Sequence, residues 1–285
     1  MKLTTINLVF CLIIALNINS EAQSKQSIPQ LQLKWSTEKS FLTPESVLYN
    51  PKDEIFYVSN VNGNPVEKDG NGFISKLSRD GKIVQLKWIN GLNAPKGLAI
   101  FKDKLYISDI DELVEVDINT GKILKKYPGQ KATFLNDIVA DSKGNIYVSD
   151  TKQNLIYWLK KDKFEIWLYV GNLFNPNGLT INDKALLVGC EDYILSVDLN
   201  NKHVRTFITE TGPVDGLVKI SNNQFLISDW TGNIHLVSKD SAKLKLLSAT
   251  NENLNAADFE FVSADNLLLV PTFSDNRVIA YELKM

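Results

Sequence analysis

Six times along the chain an apolar run closes on the same kind of signature: IFYVSN (55 to 60), LYISD (105 to 109), IYVSD (146 to 150), LLVGC (186 to 190), FLISD (225 to 229) and LLVPT (268 to 272). From Ser59 to Ser108, Ser149, Gly189, Ser228 and Pro271 the steps are 49, 41, 40, 39 and 43 residues. That is the length of a four-stranded propeller blade. The longer first step marks an insertion.

Alternating apolar stretches follow the signatures, at 73 to 86, 113 to 127 and 193 to 207, broken by the turn dipeptides Asp80-Gly81, Thr120-Gly121 and Asn200-Asn201. Such stretches read as hairpins. The sixth repeat ends at 277 to 285, one strand short, while residues 31 to 37 (LQLKWST) precede the first repeat and belong to none. Pairing these two ends leaves no open sheet edge. The expected fold is therefore all-β: a six-bladed β-propeller, its ring closed by an N-terminal strand joining the last blade.

The 285 residues are 44% hydrophobic and 22% charged, enough for one large core, and no linker composition marks a second domain. A formal charge of −2, with lysines scattered over the hairpins, argues against nucleic acid as a partner. Lys2, an apolar stretch over 8 to 16, and the small residues Ser20 and Ala22 predict a secretory signal peptide over 1 to 22 and a mature propeller over 23 to 285. The stretch is too short to span a bilayer. Phe10 before Cys11 argues against a lipoprotein signal. The mature protein is expected to be periplasmic or secreted, monomeric and without a membrane anchor. Its remaining cysteine, Cys190, has no disulfide partner and reads as a buried, inert thiol.

About a dozen residues before each signature lies the loop that leads into the innermost strand, at the mouth of the central channel. Glu45, Lys96, Asn136, Asn177, Asp215 and Asp258 occupy that place, and glycine follows at Gly97, Gly178 and Gly216. Singly, each of these Asn and Asp residues reads as a turn or strand cap. Their common phase argues that they converge on the axis. Glu45, Asn136, Asn177 and Asp215 would offer hard oxygen donors, a set suited to calcium among divalent ions. No histidine or cysteine pattern suits zinc, iron or copper.

The segments 43 to 60, 134 to 150, 175 to 189 and 212 to 229 carry a resemblance, most specifically in Pro176-Asn177-Gly178, Asp215-Gly216 and Asn136-Asp137. They resemble the senescence-marker-protein, gluconolactonase and luciferin-regenerating-enzyme family, over essentially the whole mature chain. The resemblance implies a six-bladed propeller with an axial divalent metal, usually calcium. It implies Glu45, Asn177 and Asp215 as metal ligands, and Asn136 as a ligand or a contact to substrate or metal-bound water. Asp137 matches an acidic residue near that site. The activity implied is opening of a lactone or related ester, with the metal polarising the ester oxygen. Asp215 would orient or deprotonate water, or attack directly, with Asp137 the second candidate.

The chain also departs from the family. Pro44-Glu45-Ser46 stands where Glu-Gly-Pro is common, and no arginine is evident at the place that binds sugar hydroxyls. Lys96 falls among the ligands, where it would either bind an anionic substrate or turn away toward Asp137 or Asp111. The insertion at 61 to 73 reads as a lid over the channel mouth or a plain solvated hairpin. His203 and His235 read as solvated or edge-strand residues. Asp109, Asp150 and Asp229, recurring with the blade, read as turn caps, and Trp230 as a channel-lining or core residue. Two functions stay open: an exported calcium-dependent hydrolase acting on a small-molecule lactone or ester, and a non-catalytic propeller with a structural axial metal whose rim binds a protein or glycan.

Overall fold

The computed structural model describes residues 28 to 285 apart from 170, 172 and 250 to 253. The expected signal peptide and its cleavage point after Ala22 lie outside the described residues. The described strands form six four-stranded antiparallel sheets arranged as a propeller. The first blade comprises β2 (Pro44–Asn50), β3 (Ile55–Asn60), β4 (Gly72–Ser78) and β5 (Ile83–Leu92), in that order from axis to rim.

Four further blades repeat the plan with β6 to β9, β10 to β13, β14 to β17 and β18 to β21. Their innermost strands are β6 (Pro95–Phe101), β10 (Leu135–Ala140), β14 (Leu179–Asn182) and β18 (Leu217–Lys219). The sixth holds β22 (Glu260–Val262), β23 (Leu267–Pro271), β24 (Val278–Lys284) and, outermost, β1 (Gln30–Ser36).

The burial pattern explains the signatures. Each second strand is sandwiched between neighbouring blades and is apolar on both faces, as in β11 (Ile146–Asp150), which is buried throughout. Outer strands such as β5 instead leave about half of their residues exposed. The same sandwiching corrects one expectation, because His235 is neither solvated nor on an edge. It lies in β20 (Asn233–Ser238), paired on both sides by β19 (Gln224–Ser228) and β21 (Ser241–Ser248), and is buried.

Six major apolar clusters lie between blades, and each draws residues from two of them. Tyr57 and Ile74 meet Leu98 and Leu105, for example, and Leu226 and Ile234 meet Phe261 and Leu268. Closure follows the same rule. β1 pairs antiparallel with β24 from Gln30 opposite Lys284 to Ser36 opposite Ile279. Its Leu31 packs on the cluster at one face of the sixth blade and its Trp35 on the cluster at the other. The accompanying Lys34–Glu282 ion pair is exposed and screened by solvent, so strand pairing and apolar contact carry the seam.

Candidate functional site

The axial positions sit at the entry to the innermost strands, and in five blades a β-bulge sets them there. In the first three blades the register slips by one residue between Pro44 and Val47, Pro95 and Leu98, and Leu135 and Ile138. Glu45, Lys96 and Asn136 therefore fall in the bulges. In the fourth and fifth blades Asn177–Gly178 and Asp215–Gly216 each bracket one opposing residue in the same way. A bulge re-aims a side chain and leaves backbone groups unpaired.

Signature serines take up those groups. Ser59, Ser149 and Ser228 accept hydrogen bonds from the backbone N–H of Ser46, Asp137 and Gly216 at 2.8 to 3.0 Å. Ser108 and Ser228 also donate to the next blade, to the carbonyls of Asn136 and Ala257. The glycines that follow the axial residues permit close approach between blades. A Cβ at Gly97 would lie 2.5 Å from the Asn136 carbonyl oxygen, and one at Gly178 would lie 2.7 Å from that of Asp215.

Five carboxyl groups gather around the axis: Glu45, Asp137, Asp215, Asp258 and Glu260. All are held above the ordinary carboxylate range, chiefly because burial disfavours their charge. Asp215 and Glu260 are each pushed up to about 7 and Asp258 to about 6. Glu45 and Asp137 are raised well above their usual values, with neighbouring carboxylates adding to the effect of burial.

The five differ in how their oxygens are engaged. Asp137 accepts from the backbone N–H of Ile138 at 2.6 Å and of Leu179 at 2.5 Å, so it brackets the third blade to the fourth. Glu260 accepts from the N–H groups of Tyr49 and Phe261. Asp258 accepts from the Ser46 hydroxyl at 2.6 Å. Asp215 accepts from the Asn177 amide through Oδ1 only. Glu45 Oε2 and Asp215 Oδ2 are buried without a hydrogen-bond partner.

Lys96 pairs with neither Asp137 nor Asp111. It is 2% exposed, donates to the carbonyls of Pro65 and Ala94 at 3.0 and 3.1 Å, and lies over the Phe134 ring. Burial lowers it to about 8, although Glu45 favours its charge. Pro65 belongs to the insertion, whose Lys68 takes Asp111 at 2.5 Å and whose Gly63 N–H reaches Thr43 Oγ1. The insertion is thus tied down at the mouth, over the first and second blades. Asn136 donates from its amide to Thr151 Oγ1 at 3.3 Å.

An oxygen-seeking cation fits part of this arrangement. Two buried carboxylate oxygens are unpaired, and the Asn177 amide stands against one of their carboxyl groups. Among the described residues no three His, Cys, Asp or Glu side chains are placed to hold a metal, so amide oxygens would have to complete any coordination. Sequence reasoning passed over Ser46 and Glu260. Ser46 occupies the place that glycine fills in three other blades, and that substitution was the available signal.

The remaining candidates have other tasks. Asp109, Asp150 and Asp229 accept loop N–H groups, from Ala94, Thr133 and Thr231 among others. Burial drives the Cys190 thiol up to about 12, which makes it unreactive. His203 is exposed. Trp230 does not lie in the core: it is 46% exposed and meets Phe273 edge to face, which packs in turn against Val61, Ala94 and Ile110 of the first two blades.

No protein-family model and no curated protein matches the chain. Among solved structures, one described as a provisional gluconolactonase aligns with TM-score 0.68 and 15% identity, over 90% of this chain and 92% of its own. A catalytically inactive virginiamycin B lyase from Staphylococcus aureus with quinupristin aligns with TM-score 0.63 and 12% identity, over 90% and 99%. A streptogramin B lyase aligns with TM-score 0.63 and 13% identity, over 90% and 98%. At these identities the likeness is one of fold.

Proposed function

We propose that the protein is an exported, periplasmic or secreted, cation-dependent hydrolase that opens a lactone or related ester at the mouth of the propeller axis. The observation that carries this reading is the pair of buried, unpartnered carboxylate oxygens on Glu45 and Asp215, from the first and fifth blades. Glu45, Asn177, Asp215 and Asn136 would hold the ion, calcium or another divalent metal. When bound, it would supply Lewis-acid polarisation of the ester carbonyl.

The protein's own groups supply the rest. Asp215, with one oxygen fixed by Asn177 and the other unpartnered, orients the attacking water and takes its proton. Asn136 and the Lys96 ammonium bind substrate oxygens, which requires Lys96 to release the Pro65 carbonyl. Asp137, with both oxygens on backbone donors, positions the loop at Asn136 and is the second choice as base.

One observation favours the rival reading, a binding propeller. Lys96 and protonated axial acids could neutralise the site without any metal. Calorimetric titration of calcium into the metal-stripped chain from Gln23 onward tests the metal site, and ester turnover, which a binding propeller lacks, separates the two readings. The hydrolase reading expects saturable one-site binding, lost in a folded Asp215→Ala variant, and turnover on a panel of lactones and aryl esters. A folded wild type that binds no calcium or other divalent ion would overturn it.

A further inference from the structure

On the face opposite the axial carboxylates, a groove of about 930 Å³ runs between the third and fourth blades. Four turns build it, at 141 to 145, 161 to 162, 183 to 184 and 199 to 202, each joining strands at their far ends. Lys143, Lys160, Lys161, Lys184 and Lys202 line it. Among the described residues, none of these five stands in an ion pair. Lys52, Lys68, Lys104 and Lys126 elsewhere lie 2.5 to 2.9 Å from carboxylates.

The two acids in its lining do not offset this charge, and Asp162, in one of its turns, lies 3.7 Å from Lys125. Asp141 is buried and spent on the N–H groups of Lys143 and Asn145 and on the Asn145 amide. Asp183 leans toward Lys219 at 3.9 Å. A protein of net charge −2 thus concentrates uncompensated positive charge in one concavity.

Its wall is aromatic. Tyr147, Trp158 and Trp167 pack against one another with centroids 4.9 to 6.2 Å apart. Lys160 lies 4.5 Å over the Trp158 ring, and Lys202 lies 5.8 Å from it while donating to the Trp167 carbonyl. We infer that this groove binds an acidic glycan, a linear chain of sugars bearing carboxylates or sulfates.

Concavity suits a linear chain and disfavours a flat anionic membrane. Trp158 is half-buried and its face is overlaid by ammonium groups, so no bare indole face is offered for stacking nucleobases. Lysines present mobile point charges that match anions spaced along a polymer better than one bidentate group. The Asn200 amide in the lining suits sugar hydroxyls. The inference is independent of the axial chemistry and holds whether or not the protein is an enzyme.

The test is fluorescence and calorimetric titration of the chain from Gln23 with oligogalacturonate and with a heparin-derived oligosaccharide. A neutral oligosaccharide and a single-stranded oligodeoxynucleotide of equal charge are run in parallel. Binding is expected for an acidic glycan alone, falling with salt. It should weaken about tenfold or more in Lys160→Glu/Lys161→Glu, because each reversal replaces attraction by repulsion at low ionic strength. Lys160, at the end of a strand, and Lys161, in the turn after it, are both exposed, so melting should not change, and Lys87→Glu on the first blade should bind as wild type. Equal or tighter binding of the oligonucleotide, absence of binding to both acidic glycans, or binding indifferent to the double reversal would each overturn the inference.

Discussion

Asp215 carries a buried oxygen with no donor, and that fact has a thermodynamic consequence before any catalytic one. Its carboxyl is raised from 3.8 to about 7, and Glu260 and Asp258 are raised as well. The folded state thus binds these protons more tightly than the unfolded chain, where carboxyls titrate near about 4. Their stabilising contribution is complete below about pH 4 and is lost as pH rises through about 6 to 7, on the order of a few kcal/mol for Asp215. Metal-free protein is expected to melt lower at about pH 8 than at about pH 5. Added calcium should raise the melting temperature at the higher pH and do little at the lower. Asp215→Asn should flatten the pH dependence and reduce any ester turnover by roughly 10²- to 10⁴-fold. A melting temperature independent of pH between these values would rule out the buried-acid account.

At the scale of the element, the bulge and the signature serine act together. Replacing Ser149 by Ala removes the acceptor for the Asp137 N–H, a buried donor, and should cost about 1 to 3 kcal/mol in urea unfolding. Ser78→Ala, on an exposed turn, should cost much less. Equal effects would mean that the serine hydroxyl is not what satisfies the bulge. The signatures were legible as a period and the axial residues as a phase, because both recur. The serine's role was not legible, since it depends on one inserted residue per innermost strand, which alternation of apolar side chains cannot register. His235 escaped for a related reason. Alternation along NIHLV implies one solvated face, whereas a blade packed on both sides has none.

For the whole molecule, the repeat arithmetic exposed both the sixth blade's deficit and the spare segment before the first repeat, so closure could be foreseen from the two ends alone. The far-face groove could not, because its lysines come from four hairpins that only the ring brings together. Removing residues through Ser36 should uncover the edge of β24 and the apolar surface beneath Leu31 and Trp35. The truncated chain is expected to melt lower and to self-associate, measured by differential scanning calorimetry and light scattering. A monomer of unchanged melting temperature would show the seam to be dispensable.

That seam joins Lys34 to Glu282 across 248 residues of sequence. During synthesis β1 is made before the first blade, and its partner β24 only after five blades are complete. A nascent chain can stack five blades while the sixth waits for β24 to be made. Completion is then a single late event with a long loop to close, so refolding should be limited by this step rather than by blade formation.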